Sequence, residues 1–166
     1  MSVNRGMMTS NRDDWETPTD LFEQLNMIYR FTLDPCSNGN NAKVANHFTV
    51  QDDGLSQDWS GRVFVNPPYG RAIGDWIAKC HESAKDCECV VALIPSRTDT
   101  KWFHEHVLHK ASILFVKGRL KFETDGVPGQ SAPFPSLLAV YDKGMAGILR
   151  LAKLEQALGV MACNFH

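Results

Sequence analysis

The residues Asn66-Pro67-Pro68-Tyr69 directly follow the β-branched and aromatic run "RVFV". Prolines cannot donate to a strand ladder, so the run stops there. An asparagine amide oxygen beside a proline carbonyl offers two hydrogen-bond acceptors, with no competing N–H from the prolines. Such a pair suits a group with two N–H donors, such as an exocyclic or amide NH2, and holds the nitrogen lone pair toward an electrophile. Tyr69 adds a flat face on which a planar group can stack. Asp34-Pro35 and Pro95-Ser96-Arg97 also fall where apolar runs end. Ligands of open α/β sheets sit outside the carboxyl ends of the strands, so three such ends can gather in one site.

The elements that must position these residues follow from periodicity. "TPTDLFEQLNMIY" places Leu21, Leu25 and Ile28 at helical spacing, with Thr17 as N-cap and Pro18 at the first position. "RFTLD", "RVFV", "CVVALIP", "SILFVKG" and "SLLAVYD" read as strands, the third apolar enough to be buried on both faces. "GDWIAKCHESAK" and "DTKWFHEHVLHK" read as helices. "AGILRLAKLEQALG" is an amphipathic helix with Ile148, Leu151, Leu154 and Leu158 near one face. Strands alternating with helices indicate an α/β fold with a mostly parallel central sheet flanked by helices.

Composition narrows the class. The chain has 166 residues, 43% hydrophobic and 22% charged, which suits one globular domain. No apolar run approaches the length of a membrane span. Residues 1–12 are polar and read as a flexible tail, leaving a single domain over 13–166 with no separate target-recognition domain. A net charge of −2 gives no global attraction to polyanions, so any such contact needs a local patch. Arg97, Lys101, Arg119 and Lys121 are the candidates for it. The odd count of five cysteines fits a reducing compartment rather than a disulfide framework. Cys80, His81, Cys87 and Cys89 lack the paired spacing of structural zinc sites, and His104, His106 and His109 cannot share one helix face. No metal is expected.

Taken together, "DDWETPTDLFEQL", "FTLDPCSN", "DDGLSQDWSGRVFVNPPYG", "VVALIPSRTDTKWF" and "VKGRLKFE" run in an order that resembles the small phage-type DNA adenine N6-methyltransferase family, over about residues 13–142. The resemblance implies a minimal Rossmann-like class I methyltransferase fold, with S-adenosylmethionine as cofactor, DNA as partner and the bacterial host cytoplasm as location. It implies that Asn66 and Pro67 accept hydrogen bonds from adenine N6, with Pro68 completing the motif, and that Tyr69 stacks on an extruded base. Phe122 or Phe134 is a second candidate stacking surface. Thr17 and Pro18, in "ETP", would lie near the cofactor's methionine carboxylate at a helix N-terminus, a good carboxylate site in itself. Asp34 and Pro35 would begin the first cofactor loop, with Asp34 accepting from the ammonium.

The chain departs from the wider methyltransferase pattern at that loop. The usual D-P-x-x-G-x-G is replaced by "DPCSNGN", with Gly39 one place late and no second glycine. The 32 positions from Asp34 to Asn66 are too few for two full β-α units, so one is shortened or lost. The resemblance implies an acidic residue for the ribose hydroxyls, and with a unit missing its place is open: Asp53, in "DDGL", is the first candidate and Asp52 the second. RNA adenine or protein glutamine methylation stays open, as does a catalytically silent nucleotide- or DNA-binding module. The oligomeric state is not set by the sequence.

Overall fold

The computed structural model describes residues 15–163, so the tail expected over 1–12 lies outside the described residues. The elements in chain order are α1 (Thr19–Tyr29), β1 (Arg62–Val65), α2 (Ile73–Ser83), β2 (Cys89–Pro95), α3 (Lys101–His106), β3 (Ser112–Phe115), β4 (Glu123–Thr124), β5 (Val127–Pro128), β6 (Ser136–Asp142), α4 (Gly144–Leu158) and β7 (Ala162–Cys163). A five-stranded sheet has the order β1-β2-β6-β3-β7, and β4 and β5 form a separate hairpin.

The sheet is mixed, not mostly parallel. β1 pairs parallel with β2, whereas the ladders β2–β6, β3–β6 and β3–β7 are all antiparallel. The apolar runs of β2 and β6 are buried almost throughout. A run buried on both faces carries no alternation that would reveal its direction. β6 enters between β2 and β3 running against both, which removes the parallel neighbours the alternating pattern led one to expect. "RFTLD" is reduced to two isolated bridges, Leu33 parallel to Val63 and Asp34 parallel to His47. No helix lies between Asp34 and β1, so the missing β-α unit is replaced by turns.

Directionality still favours a site at one edge. The Leu33–Asp34 bridge segment, β1, β2 and, through two reversals, β3 all point the same way. Helices cover both faces. Phe64 of β1 meets Phe22 of α1 with ring centroids 5.2 Å apart, and α1 packs on α4. On the opposite face, Tyr141 of β6 stacks on His81 of α2 and donates to the His106 carbonyl of α3 at 2.7 Å.

Two helices differ from their sequence patterns. α3 is helical only over Lys101–His106, because the chain must reverse before β3 and does so through His109 at a positive φ of 60°. On α4, Leu154 is buried but Ile148 is exposed. The helix is instead drawn onto β6 at Gly147, where a Cβ would sit 2.9 Å from the Asp142 backbone. Arg150 then clamps the Asp142 carboxylate with two hydrogen bonds, 2.7 and 2.9 Å. The Asp142 side chain is 1% exposed, so Arg150→Leu would leave a buried charge unpaired. We expect a loss of about 3 kcal/mol in a denaturant titration. An unchanged midpoint would contradict this account of how α4 is anchored.

Candidate active site

An open-mouthed cavity of about 230 Å³ lies at the carboxyl edge of β1. Two of the three strand-end motifs reach it. Asp34 and Pro35 line it from one side and Asn66, Pro67 and Pro68 from another, with Thr17, Asp53 and Gly54 also in the wall. The third motif does not: Ser96 turns its N–H to the Pro135 carbonyl at 2.9 Å, and neither Pro95 nor Arg97 lines the cavity.

The Asn66 amide is held in one orientation. Its Nδ2 donates to the Trp15 carbonyl and, at 3.0 Å, to Thr17 Oγ1. A carbonyl can only accept, so the amide nitrogen must face Trp15 and the oxygen must face away. That oxygen, Oδ1, is buried and has no hydrogen-bond partner. Buried acceptors are almost always satisfied. An orphan acceptor on the strand end that lines a cavity is therefore a ready receptor for an N–H donor.

Thr17 is not the helix cap that spacing suggests. α1 begins at Thr19, and Pro18 occupies the N-cap position with no side-chain cap bond. The cap is supplied from 104 residues away by Glu123, whose carboxylate accepts from Thr19 N–H and from the Thr19 hydroxyl, each at 2.8 Å. The Glu123 backbone N–H also donates to the Glu16 carbonyl at 2.9 Å. The hairpin's first strand therefore pins the 15–17 segment that orients Asn66. Sequence reading missed Glu123 and Trp15: the first acts at long range, and the second acts through its backbone.

Asp34 is 4% exposed, and its carboxylate accepts from the Cys36 and Lys43 backbone N–H groups at 3.2 and 3.1 Å. Burial pushes its pKa up, against the opposing pull of those two bonds. The glycine-poor loop after it is organised by asparagines instead. Asn38 Oδ1 accepts from the N–H groups of Asn40 and Asn41, both at 3.0 Å, while Asn41 Oδ1 accepts from Asn38 N–H at 2.9 Å.

The two acidic candidates for the ribose separate cleanly. The Asp52 carboxylate is used locally, accepting from the Thr49 N–H and hydroxyl at 2.8 Å each, and it does not line the cavity. Asp53 does line it, at a positive φ of 52°. Gly54 is required beside it: a Cβ there would lie 2.1 Å from the Pro35 carbonyl oxygen. Trp59 Nε1 holds the Gly54 carbonyl at 2.8 Å, and Trp76 forms the neighbouring wall.

Tyr69 is placed differently from the expectation of an open stacking face. It is 7% exposed, its hydroxyl donates to the Leu93 carbonyl at 3.1 Å, and burial raises its pKa well above the usual value. Its ring meets Phe134 and Phe122 edge-on, centroids 5.5 and 5.9 Å away, and Trp15 packs against both phenylalanines at 5.3 Å. Phe122 is buried and Phe134 half-buried. The rings form one aromatic cluster joined to Asn66 through Trp15.

Arg97, Lys101, Arg119 and Lys121 are all exposed and outside the cavity wall, with Lys101 paired to Glu105 at 3.6 Å. None of the five cysteines is in a disulfide. Among the described residues no three His, Cys, Asp or Glu side chains converge as a metal site, and no helix is long and apolar enough to cross a membrane. His81 and His106 do meet, with Nδ1 atoms 3.3 Å apart across α2 and α3.

Comparison with known proteins gives a consistent result. The family model described as DNA N-6-adenine-methyltransferase (Dam) matches residues 5–145. The DNA N-6-adenine-methyltransferase of Haemophilus phage HP1 (strain HP1c1) is 31% identical over 119 residues, covering 70% of this chain and 69% of that protein. The putative methyltransferase YfdM of Escherichia coli (strain K12) is 40% identical over 65 residues, covering 34% of this chain and 71% of that protein.

Proposed function

The chain belongs to the DNA N-6-adenine-methyltransferase family and acts on adenine N6 in DNA, and from that premise we propose how its residues carry out the transfer. The methyl donor in this reading is S-adenosylmethionine, which supplies an electrophilic methyl group on a sulfonium. The fold in this reading is a trimmed Rossmann-like methyltransferase core, supported by four co-directional runs, of which the Leu33–Asp34 segment and β1 end at the cavity.

The observation that carries the reading is the buried, unpartnered Asn66 Oδ1 beside the fixed amide nitrogen. Asn66 Oδ1 accepts one N6–H of the target adenine and the Pro67 carbonyl accepts the other. Two acceptors orient the exocyclic nitrogen so that its lone pair faces the methyl group, and they stabilise the positive charge that grows on N6 as the bond forms. No side-chain nucleophile is needed. The base must leave the duplex stack to reach such a pocket. Tyr69, covered by Phe122 and Phe134, backs the aromatic cluster whose Trp15 lines the cavity and against which the base is seated. Asp34 and Pro35 hold the ammonium end of the cofactor, Asp53 its ribose hydroxyls, and Thr17 and Pro18 the segment beside Asn66. Exposed Arg97, Lys101, Arg119 and Lys121 face the phosphates. The domain over 13–166 acts as one unit, with the loops at 119–135 reading the target.

The cavity fits a cationic cofactor on one point of its own. A carboxylate as buried as Asp34, with only two backbone N–H partners, gains from an incoming cation. This gives a pH dependence. Burial raises the Asp34 pKa above its ordinary value, so the unliganded fold loses stability as pH rises from the unfolded value through the raised one. The ammonium partner needs the ionised form. S-adenosylmethionine affinity should therefore fall as pH drops through the raised Asp34 pKa and level off above it. Asp34→Asn should flatten that profile and weaken binding by about 1.5–3 kcal/mol, read by calorimetry across pH. A steep profile that survives in Asp34→Asn would contradict the role given to Asp34.

Transfer of a radiolabelled methyl group from S-adenosylmethionine tests the substrate. Label in DNA is expected, and label only in RNA or protein would redirect the assignment to those substrates.

A further inference from the structure

We propose that Lys43 binds the carboxylate of the cofactor's amino-acid end, an inference that rests on the S-adenosylmethionine reading above. The sequence directs that carboxylate to the N-terminus of α1, where free N–H groups attract anions. That position is already taken. The Glu123 carboxylate, 6% exposed, accepts from Thr19 N–H and the Thr19 hydroxyl at 2.8 Å each, and a second carboxylate there would meet a buried like charge.

Lys43 offers the alternative. Among the described residues it is the lysine or arginine that lines the cavity, whose wall also holds Glu16, Asp34 and Asp53. A ligand bearing a carboxylate, an ammonium and a sulfonium has complementary needs: one cation for its carboxylate and acidic groups for the rest. The Lys43 ammonium has three donors. One is directed at Thr19 Oγ1, 3.4 Å away, and a second at Glu123 Oε2, with which Lys43 forms an ion pair at 3.8 Å. A donor is left for an incoming carboxylate, and the side chain is 18% exposed, so the ligand can reach it. The Lys43 backbone N–H donates to Asp34 Oδ2 at 3.1 Å, so the residue assigned to the ammonium and the residue assigned to the carboxylate are tied together. An α-amino acid presents those two groups on one carbon. In this chain a lysine in the asparagine-tied loop thus takes over the anchoring that a glycine-rich loop would give through backbone N–H groups.

Two ligands separate this subsite from the rest of the cavity: S-adenosylhomocysteine, which carries the amino-acid end, and 5′-methylthioadenosine, which lacks it. Calorimetry on wild type, Lys43→Met and Lys43→Arg compares them. Lys43→Met should bind S-adenosylhomocysteine at least about tenfold more weakly, with 5′-methylthioadenosine affinity within about twofold. Lys43→Arg should recover much of the loss. Equal affinities in wild type and Lys43→Met overturn the proposal, and so does a parallel loss for both ligands, which would mean a structural role. Wild type binding neither ligand would remove the cofactor reading itself, and this inference with it.

Discussion

Asn66→Ala should reduce methyl transfer by about 10²–10³-fold at saturating cofactor, the usual cost of deleting one preorganised polar group that acts on developing charge. Cofactor affinity should stay close to that of wild type, because the proposed partner of Asn66 is the base. The thermal midpoint should fall only modestly, since Asn66 is half-buried and its amide bonds reach only Trp15 and Thr17. Asn66→Asp gives a sharper result. A carboxylate can still accept from N6, but it has no N–H for the Trp15 carbonyl and would set two oxygens against each other there. Its activity should lie near that of Asn66→Ala at neutral pH and rise as pH falls, when protonation restores a donor to Trp15. A fully active Asn66→Asp enzyme at neutral pH would show that the orientation imposed by Trp15 is unimportant.

Tyr69→Ala should be the most damaging substitution for stability. It removes a ring that is 7% exposed and packed against Phe122 and Phe134, and such truncations cost about 3–5 kcal/mol. Activity will fall with it, so alanine alone cannot separate stacking from packing. Tyr69→Phe can. It keeps the ring and loses only the bond to the Leu93 carbonyl, at about 0.5–1.5 kcal/mol of stability. If the ring acts by holding the cluster that seats the base, Tyr69→Phe should keep most of its turnover while its thermal midpoint drops. A Tyr69→Phe enzyme that is stable but inactive would assign the chemistry to the hydroxyl instead.

The legible parts of this molecule are the local ones. Prolines after an apolar run marked where β1 and the Asp34 segment stop, and Asp34, Pro35, Asp53, Asn66, Pro67 and Pro68 do meet around one cavity. The short spacing between Asp34 and Asn66 correctly required a lost β-α unit, which turns replace. Strand direction was not legible, because the buried run of β6 reads the same whichever way it is inserted. Partners distant in sequence were also hidden. Glu123 caps a helix 104 residues away, a job that local spacing assigned to Thr17. The Trp15 carbonyl sets the Asn66 amide through a backbone atom that no residue type advertises. Tyr69 had the right composition for an open stacking face but is covered by two phenylalanines, a packing outcome that only the folded chain decides.

The most direct test uses duplex DNA, S-adenosylmethionine with a deuterated methyl group, and mass spectrometry of the released nucleosides, with wild type and Asn66→Ala in parallel. Wild type should yield deuterated N6-methyldeoxyadenosine, and Asn66→Ala should yield about 10²-fold less or none while binding cofactor normally. Equal yields from the two proteins, or label on any other atom of the DNA, would contradict methyl transfer to adenine N6 through the Asn66 acceptor.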